Sequence, residues 1–189
     1  MPESLSRKGS PTRVQADAAA LSAAHRAMVR GCRFLIDRAA RDATVMPGCE
    51  RTARVALRLA GNCLKELDRF LAILIDEHAP PSEAPSRHGA AAKGDTDSAR
   101  KLSRIKAMES RFPVDVLRLR AIGRVRAFAT GHSPVSSGTR LAQDLAIAAR
   151  GQGLVPPRHG ATPVISDQAL AAIAEFYLSL TSCLKAQHA

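Results

Sequence analysis

Hydrophobic residues recur with helical spacing at the start of the chain. Steps of four and three residues place such positions on one face of a helix. The first stripe comprises Val14, Ala18, Leu21, His25, Met28, Cys32, Leu35 and Ala39. It predicts an amphipathic helix over about residues 14–43, which ends before Pro47-Gly48.

A second stripe predicts a helix from about Cys49 to His78. Its members are Thr52, Ala56, Leu59, Cys63, Leu67, Phe70 and Leu74. Only a short turn separates the two helices, so we expect an antiparallel helical hairpin.

Two segments lack this pattern. Residues 1–13 are rich in hydroxyl and basic residues without periodicity, and predict a disordered tail. Residues 79–98 contain three prolines and two glycines but no Leu, Ile, Val, Phe or Met. Such a segment has nothing large to bury, and we expect a flexible linker.

The second half of the chain predicts further helices. Residues 99–110 suit a short basic helix, and Pro113 suits the first turn of the next one, about 113–131, which ends at a capping glycine, Gly131. The apolar face of this helix is predicted to hold Val114, Leu117, Ala121, Val125 and Phe128.

Residues 132–165 predict an irregular segment with one helical stretch, Thr139 to Arg150. Two short extended pieces are expected in it, Gly153 to Val155 and Thr162 to Ile165. Ser166-Asp167 then supplies an N-cap for the last helix. Its stripe is Leu170, Ile173, Tyr177, Leu180 and Leu184.

These elements predict an all-α fold, a four-helix bundle that forms one domain over residues 14–186. A length of 189 residues fits one domain, and a hydrophobic fraction of 46% excludes a wholly disordered chain. No apolar run approaches the roughly 18 residues that span a bilayer. The first dozen residues have no apolar signal core, so we expect a cytoplasmic protein.

The net charge is +11, and it is unevenly distributed. Residues 97–131 hold nine basic and three acidic residues, which is +6 of the total. A polyanion would be attracted there first. The RNA-contacting candidates are Arg118, Arg120 and Arg124, while a solvated basic face is the alternative.

Arg118 lies within the predicted apolar stripe, because successive residues of a helix are about 100° apart. An arginine in such a place needs a partner. Asp115, one turn earlier, is the partner that the sequence favours. The alternative is that this face meets a cleft or a second subunit.

The sequence favours neither a metal site nor a cofactor. The four cysteines show no CxxC spacing, so a zinc site is not expected. His25 lies at a seam position and is expected to be a core histidine. The carboxylates do not cluster, and an aromatic content of 3% disfavours binding of single strands by base stacking.

The 113–131 helix ends in a short motif, R-A-F-A-T-G-H, whose arginine and histidine are candidate catalytic residues. It runs from Arg126 to His132. A four-helix bundle in which one helix end carries an Arg, then four to six residues and a His, resembles the HEPN superfamily. The resemblance implies an RNA-directed dimer, with metal-independent endoribonuclease activity in many members. In such a protein His132 would act as general acid and base, and Arg126 would hold the phosphate.

A different class of function is also open. The chain can be a non-enzymatic helical interaction or regulatory protein, whose apolar seams and Arg-rich helix bind a protein partner. A sequence-specific DNA binder is less supported, because the short turn joins two very long helices and forms no helix-turn-helix.

Overall fold

The computed structural model describes residues 13–41, 50–78, 98–104, 113–131, 138–153 and 164–186. These ranges contain six helices and no β-strand, so the all-α prediction is confirmed. The helices are α1 (Arg13–Arg41), α2 (Glu50–His78), α3 (Ser98–Arg104), α4 (Pro113–Ala129), α5 (Gly138–Ala148) and α6 (Asp167–Ala186).

Several sequence predictions lie partly or wholly outside these ranges. The predicted tail and linker reach the described residues only at Arg13 and Ser98, which both begin helices. Most of the two predicted extended pieces is also outside. Of those pieces, Gly153 lies in a turn and residues 164–165 are irregular.

The ends of the helices follow the capping residues that the sequence contains. The backbone N–H of Ala169 donates to Ser166 Oγ at 3.0 Å, which confirms the predicted N-cap of α6. After α4, Gly131 has a φ of +74° and donates to the carbonyl of Phe128 at 3.0 Å. This left-handed conformation is the one that favours glycine at a helix C-terminus.

Helix α6 lies in the hydrophobic core. It packs against α1 and α2, and also touches α5. Every member of its predicted stripe is at most 3% exposed. This helix is the one among the described ranges that is long and apolar enough to cross a membrane, yet 56% of that stretch is buried inside the protein.

The two short helices contribute to the same core. Ala99 and Leu102 of α3 are fully buried, and Leu141 and Leu145 of α5 are nearly so. Helix α3 packs against α2 and α4, while α5 packs mainly along α4. Six helices of the described chain therefore share one core, rather than the four long ones alone.

The predicted faces of α2 and α4 needed correction. Leu59 is 46% exposed, whereas Ala60 and Leu64 beside it are buried. On α4, Val114 and Leu117 are 65% and 59% exposed. Ala121 and Val125 of the predicted face are buried, and the buried side of α4 also includes Val116, Arg118, Leu119, Ile122 and Ala129. Helix α4 carries aliphatic residues around most of its circumference, so its own pattern does not select the face that its neighbours cover.

Candidate functional site

The predicted catalytic arginine, Arg126, lies in an ion pair between helices. Its Nη1 is 2.5 Å from Oδ2 of Asp68 on α2. The other carboxylate oxygen of Asp68 accepts a hydrogen bond from the hydroxyl of Ser98, the first residue of α3. Asp68 and Ser98 are both buried. Arg126 therefore belongs to a polar contact that joins α2, α3 and α4.

The second predicted catalytic residue, His132, lies outside the described residues. The motif is described only as far as Gly131, which ends α4. The structure thus gives the position of Arg126 and leaves its relation to His132 a prediction.

Arg124, a predicted RNA contact, forms a two-pronged ion pair with Asp144 of α5. Its Nε lies 2.9 Å from Oδ1 and its Nη2 lies 2.6 Å from the same oxygen, with Nε also 3.0 Å from Oδ2. Hydrogen bonding to Asp144 raises the pKa of Arg124. The side chain is still 48% exposed, so the pair fixes the arginine while part of it stays open to solvent.

Arg118 is buried, and its hydrogen bonds reach two other parts of the fold. Nε donates to the carbonyl of Ala148 at 2.8 Å, and Nη2 donates to the carbonyl of Ala172 at 3.1 Å. The guanidinium carbon lies 4.2 Å from the centre of the Phe176 ring, which is a cation–π geometry. Arg118 therefore caps the last turn of α5 from a neighbouring helix.

Asp115, the partner that the sequence favoured for Arg118, acts on it through charge. Burial lowers the pKa of Arg118 to about 10, with a further lowering by the charge of Arg150. The carboxylates of Asp115 and Glu175 oppose this shift. Burial raises the pKa of Asp115, although Arg150 and Arg118 both favour its charged form.

A groove runs between α4 and the end of α5. Its apolar side consists of Val114, Leu117 and Ile147, which are 65%, 59% and 49% exposed. Its basic side consists of Arg118, Arg120, Arg124 and Arg150. The groove has a volume of about 340 Å³. We call this feature the arginine groove.

Arg120, the third predicted RNA contact, is exposed on the rim of the arginine groove. In the described part of the chain it forms neither an ion pair nor a side-chain hydrogen bond, and the same is true of Arg150. The groove therefore brings together all three arginines that the sequence selected for binding. Arg126 is absent from its lining.

Arg150 has a backbone conformation that L residues rarely adopt. Its φ is +50°, and it is the residue after the last turn of α5. The N–H of Gly151 donates to the carbonyl of Ala146 at 2.9 Å, and that of Arg150 faces the carbonyl of Ile147 at 3.4 Å. This is the Schellman arrangement, whose left-handed position is usually glycine. Here that position carries a charged side chain that lines the groove.

Three residues beside the groove, Asp144, Ile147 and Arg150, were not among the predicted site residues. All three lie within Thr139 to Arg150, the helical stretch that was predicted inside an otherwise irregular segment. An α5 stripe of Leu141, Leu145 and Ala148 is visible at helical spacing, and it would have placed Ile147 on the opposite face. The left-handed conformation of Arg150 could not be predicted from the sequence, because glycine is the residue preferred at that position after a helix.

No cluster of three metal-ligating side chains occurs within the described ranges. Among the described cysteines, Cys32 is buried, Cys63 is partly buried and Cys183 is exposed, and all three are free thiols. His25, expected in the core, is half-buried on α1.

The fold and site define an all-α protein with a basic, partly aliphatic groove. Comparison with known proteins adds no relative, since no family model, curated protein or solved structure matches the chain. The HEPN resemblance stays a prediction that rests on the motif from Arg126 to His132.

Proposed function

We propose that this chain is a non-enzymatic interaction protein that binds an acidic, amphipathic segment of a partner protein in the arginine groove. One observation carries the proposal: three exposed aliphatic side chains lie directly beside four arginines. An apolar patch with a basic rim matches a helix that has leucines on one face and carboxylates beside them.

The composition of the arginine groove favours a protein over RNA. Phosphate contacts would use the arginines but would leave Val114, Leu117 and Ile147 without a partner. Base stacking uses aromatic side chains, and the groove lining has none. An amphipathic peptide would use both sides of the groove at once.

The arrangement of Arg124 also suits recognition. Both carboxylate oxygens of Asp144 bind its guanidinium, which already restricts the side chain in the free protein. Binding of a ligand to the exposed part therefore costs less side-chain entropy than it would for a mobile arginine. Charge complementarity would steer an acidic partner toward the groove and speed its association.

The ribonuclease hypothesis has less support from the described residues. Arg126 is already engaged by the buried carboxylate of Asp68, so its guanidinium is not wholly available to a phosphate. The ribonuclease hypothesis therefore rests on His132 and on the part of Arg126 that Asp68 does not engage.

The proposal is tested with two labelled probes of similar length. One is a helical peptide with leucines on one face and glutamates flanking them, and the other is single-stranded RNA. Fluorescence anisotropy is measured for the unmodified protein, for Leu117→Ser and for Val55→Ser. Val55 is 62% exposed on α2 and is not part of the groove, which makes it the matched control.

We expect the peptide to bind, Leu117→Ser to weaken it about tenfold, and Val55→Ser to leave it unchanged. A tenfold loss corresponds to about 1.4 kcal/mol, within the range for an aliphatic contact. Equal effects of both variants, or binding of RNA alone, would contradict the proposal.

The ribonuclease alternative has its own assay. RNA is incubated with the purified protein in EDTA, together with His132→Ala and Arg126→Ala. Cleavage that disappears in His132→Ala, in a protein that remains folded, would favour the enzyme over the interaction protein. Cleavage that persists in both variants would point to a contaminating nuclease.

A further inference from the structure

One lining residue of the arginine groove is a charged side chain that hydrogen bonds hold in place. Arg118 is only 6% exposed, yet it lines the groove. Its Nε and Nη2 are engaged by two backbone carbonyls. Nη1 has no hydrogen-bond partner among the described residues. The described residues therefore satisfy only part of this guanidinium.

Arg150 places a second positive charge near the same point. Both side chains line the groove, and the charge of Arg150 lowers the pKa of Arg118. No residue in the described chain pairs with Arg150 by hydrogen bond or ion pair. Its backbone also occupies a left-handed conformation that costs an L residue conformational energy.

Both features are unfavourable in the free protein, and an anion would offset them. An oxyanion between the two arginines would relieve their repulsion and occupy the open end of Arg118. Guanidinium groups present a planar fork that matches the two oxygens of a carboxylate. Because Arg118 is already fixed by Ala148, Ala172 and Phe176, binding would cost little additional side-chain entropy.

We infer that Arg118 and Arg150 form an oxyanion subsite in the arginine groove, which receives one carboxylate side chain of the acidic partner segment. The inference rests on the proposed function, and it adds the group that the partner must present. The neighbouring aliphatic residues Leu117 and Ile147 would cover the methylene groups of that side chain.

The net charge around the subsite is smaller than that of its two arginines. The carboxylate of Asp115 acts on both arginines, and that of Glu175 acts on Arg118. Because these negative charges partly offset the two positive ones, a ligand with a single negative charge is enough to balance the subsite, whereas a phosphorylated side chain carries about −1.5 to −2 charges. We therefore assign the subsite to glutamate or aspartate.

The test is a double-mutant cycle on the full chain. Each glutamate of the peptide probe is replaced in turn by glutamine, and each peptide is titrated against the unmodified protein, Arg150→Ala and Arg58→Ala. Arg58 is an exposed arginine of α2, outside the groove, so its variant reproduces the change in net charge. We expect one glutamate whose replacement weakens binding about tenfold to the unmodified protein and to Arg58→Ala, but about twofold or less to Arg150→Ala.

Two further arms complete the test. A peptide with phosphoserine at the coupled position is expected to bind no more tightly than the glutamate peptide, because one negative charge already balances the subsite. Independently, hexanoate is titrated while the arginine Nε–H signals are followed by NMR, and we expect a shifted signal that Arg118→Met removes. Folding of that variant is checked by circular dichroism, because Arg118 is buried.

The possible failures are distinguishable. If the peptide binds and depends on Leu117 but no glutamate couples to Arg150, the subsite is wrong and the interaction function stands. Tighter binding of phosphoserine would overturn the assignment of a carboxylate. If neither the peptide nor hexanoate binds, both the proposed function and the subsite fail.

Discussion

Arg126 and Asp68 form a 2.5 Å ion pair that joins α4 to α2, and the aspartate is 5% exposed. Ser98 completes the arrangement by donating to the other oxygen of the same carboxylate. This contact gives Arg126, the first residue of the motif, a structural role in holding three helices together.

Arg126→Ala is expected to lower the free energy of unfolding by about 3 kcal/mol. The substitution leaves the carboxylate of Asp68 buried without its cation, which is the costly way to break such a pair. Urea unfolding followed by circular dichroism measures the loss. The control is Arg126→Ala with Asp68→Asn, in which no charge is left buried, and it should recover part of the stability. If Arg126→Ala is as stable as the unmodified chain, the pair contributes nothing.

Much of the fold could be predicted from spacing alone. On the first helix, Met28, Cys32 and Leu35 of the predicted stripe are buried, and on the last helix the whole stripe is. The observed ends of the first helix differ from the predicted ones by at most two residues. Ser166 was identifiable as an N-cap because its hydroxyl precedes a clear apolar run. These elements have one apolar side, so that pattern and packing agree.

The candidate site was predicted only in part. Helix α4 is aliphatic on several sides, and whether Leu117 or Leu119 is buried depends on how α2, α3 and α5 pack around it. The partners of Arg124 and Arg126 lie 20 and 58 residues away along the chain. A single sequence carries no signal for such distant pairs, so both arginines looked available for binding.

Two glycines in different surroundings provide a test of the packing between α2 and α4. A Cβ added to Gly61 would lie 2.9 Å from Cβ of Ala129 and 3.1 Å from its carbonyl carbon. Gly61→Ala is therefore expected to destabilise the protein by about 2 kcal/mol through overpacking. At Gly123 a Cβ would meet nothing within 4 Å, and Gly123→Ala should stabilise by about 0.5–1 kcal/mol through helix propensity. Thermal unfolding measures the stability of both variants. A stabilising Gly61→Ala would show that α2 and α4 are less close than described.

The described thiols are expected to differ in reactivity. Burial raises the pKa of Cys32 to about 12, and burial also raises the pKa of Cys63 with partial relief from Arg38. Since the thiolate is the nucleophile, exposed Cys183 should react first with iodoacetamide at pH 8, Cys63 more slowly, and Cys32 only after unfolding. Peptide mass mapping after short reaction times measures this order. Guanidinium chloride provides the control in which all three react, and equal labelling of Cys32 and Cys183 in the native protein would contradict the prediction.

Asp115 should give stability a specific dependence on pH. Its pKa is raised in the folded protein, so the native state binds the proton more tightly than the unfolded chain does. The contribution of Asp115 to the free energy of unfolding is therefore present at low pH and is lost as the pH rises through its raised pKa. Relative to Asp115→Asn, the unmodified protein should gain unfolding free energy between pH 7 and about pH 4. Urea unfolding at both pH values measures the difference, with Asp37→Asn on the exposed side of α1 as the control. A difference that is constant with pH would contradict the expected direction.

The left-handed Arg150 links the stability of α5 to the proposed binding site. At a φ of +50°, an L residue costs about 1–2 kcal/mol that glycine does not. Arg150→Gly is therefore expected to be more stable than Arg150→Ala by about 1 kcal/mol, because both lose the charge but only glycine relieves the backbone. Both variants should weaken the acidic peptide by the same factor, since both remove the guanidinium. Urea unfolding and anisotropy titrations measure the two effects separately. Equal free energies of unfolding for the two variants would show that the backbone at Arg150 is unstrained. Unchanged peptide affinity would show that the guanidinium of Arg150 does not contact the acidic partner.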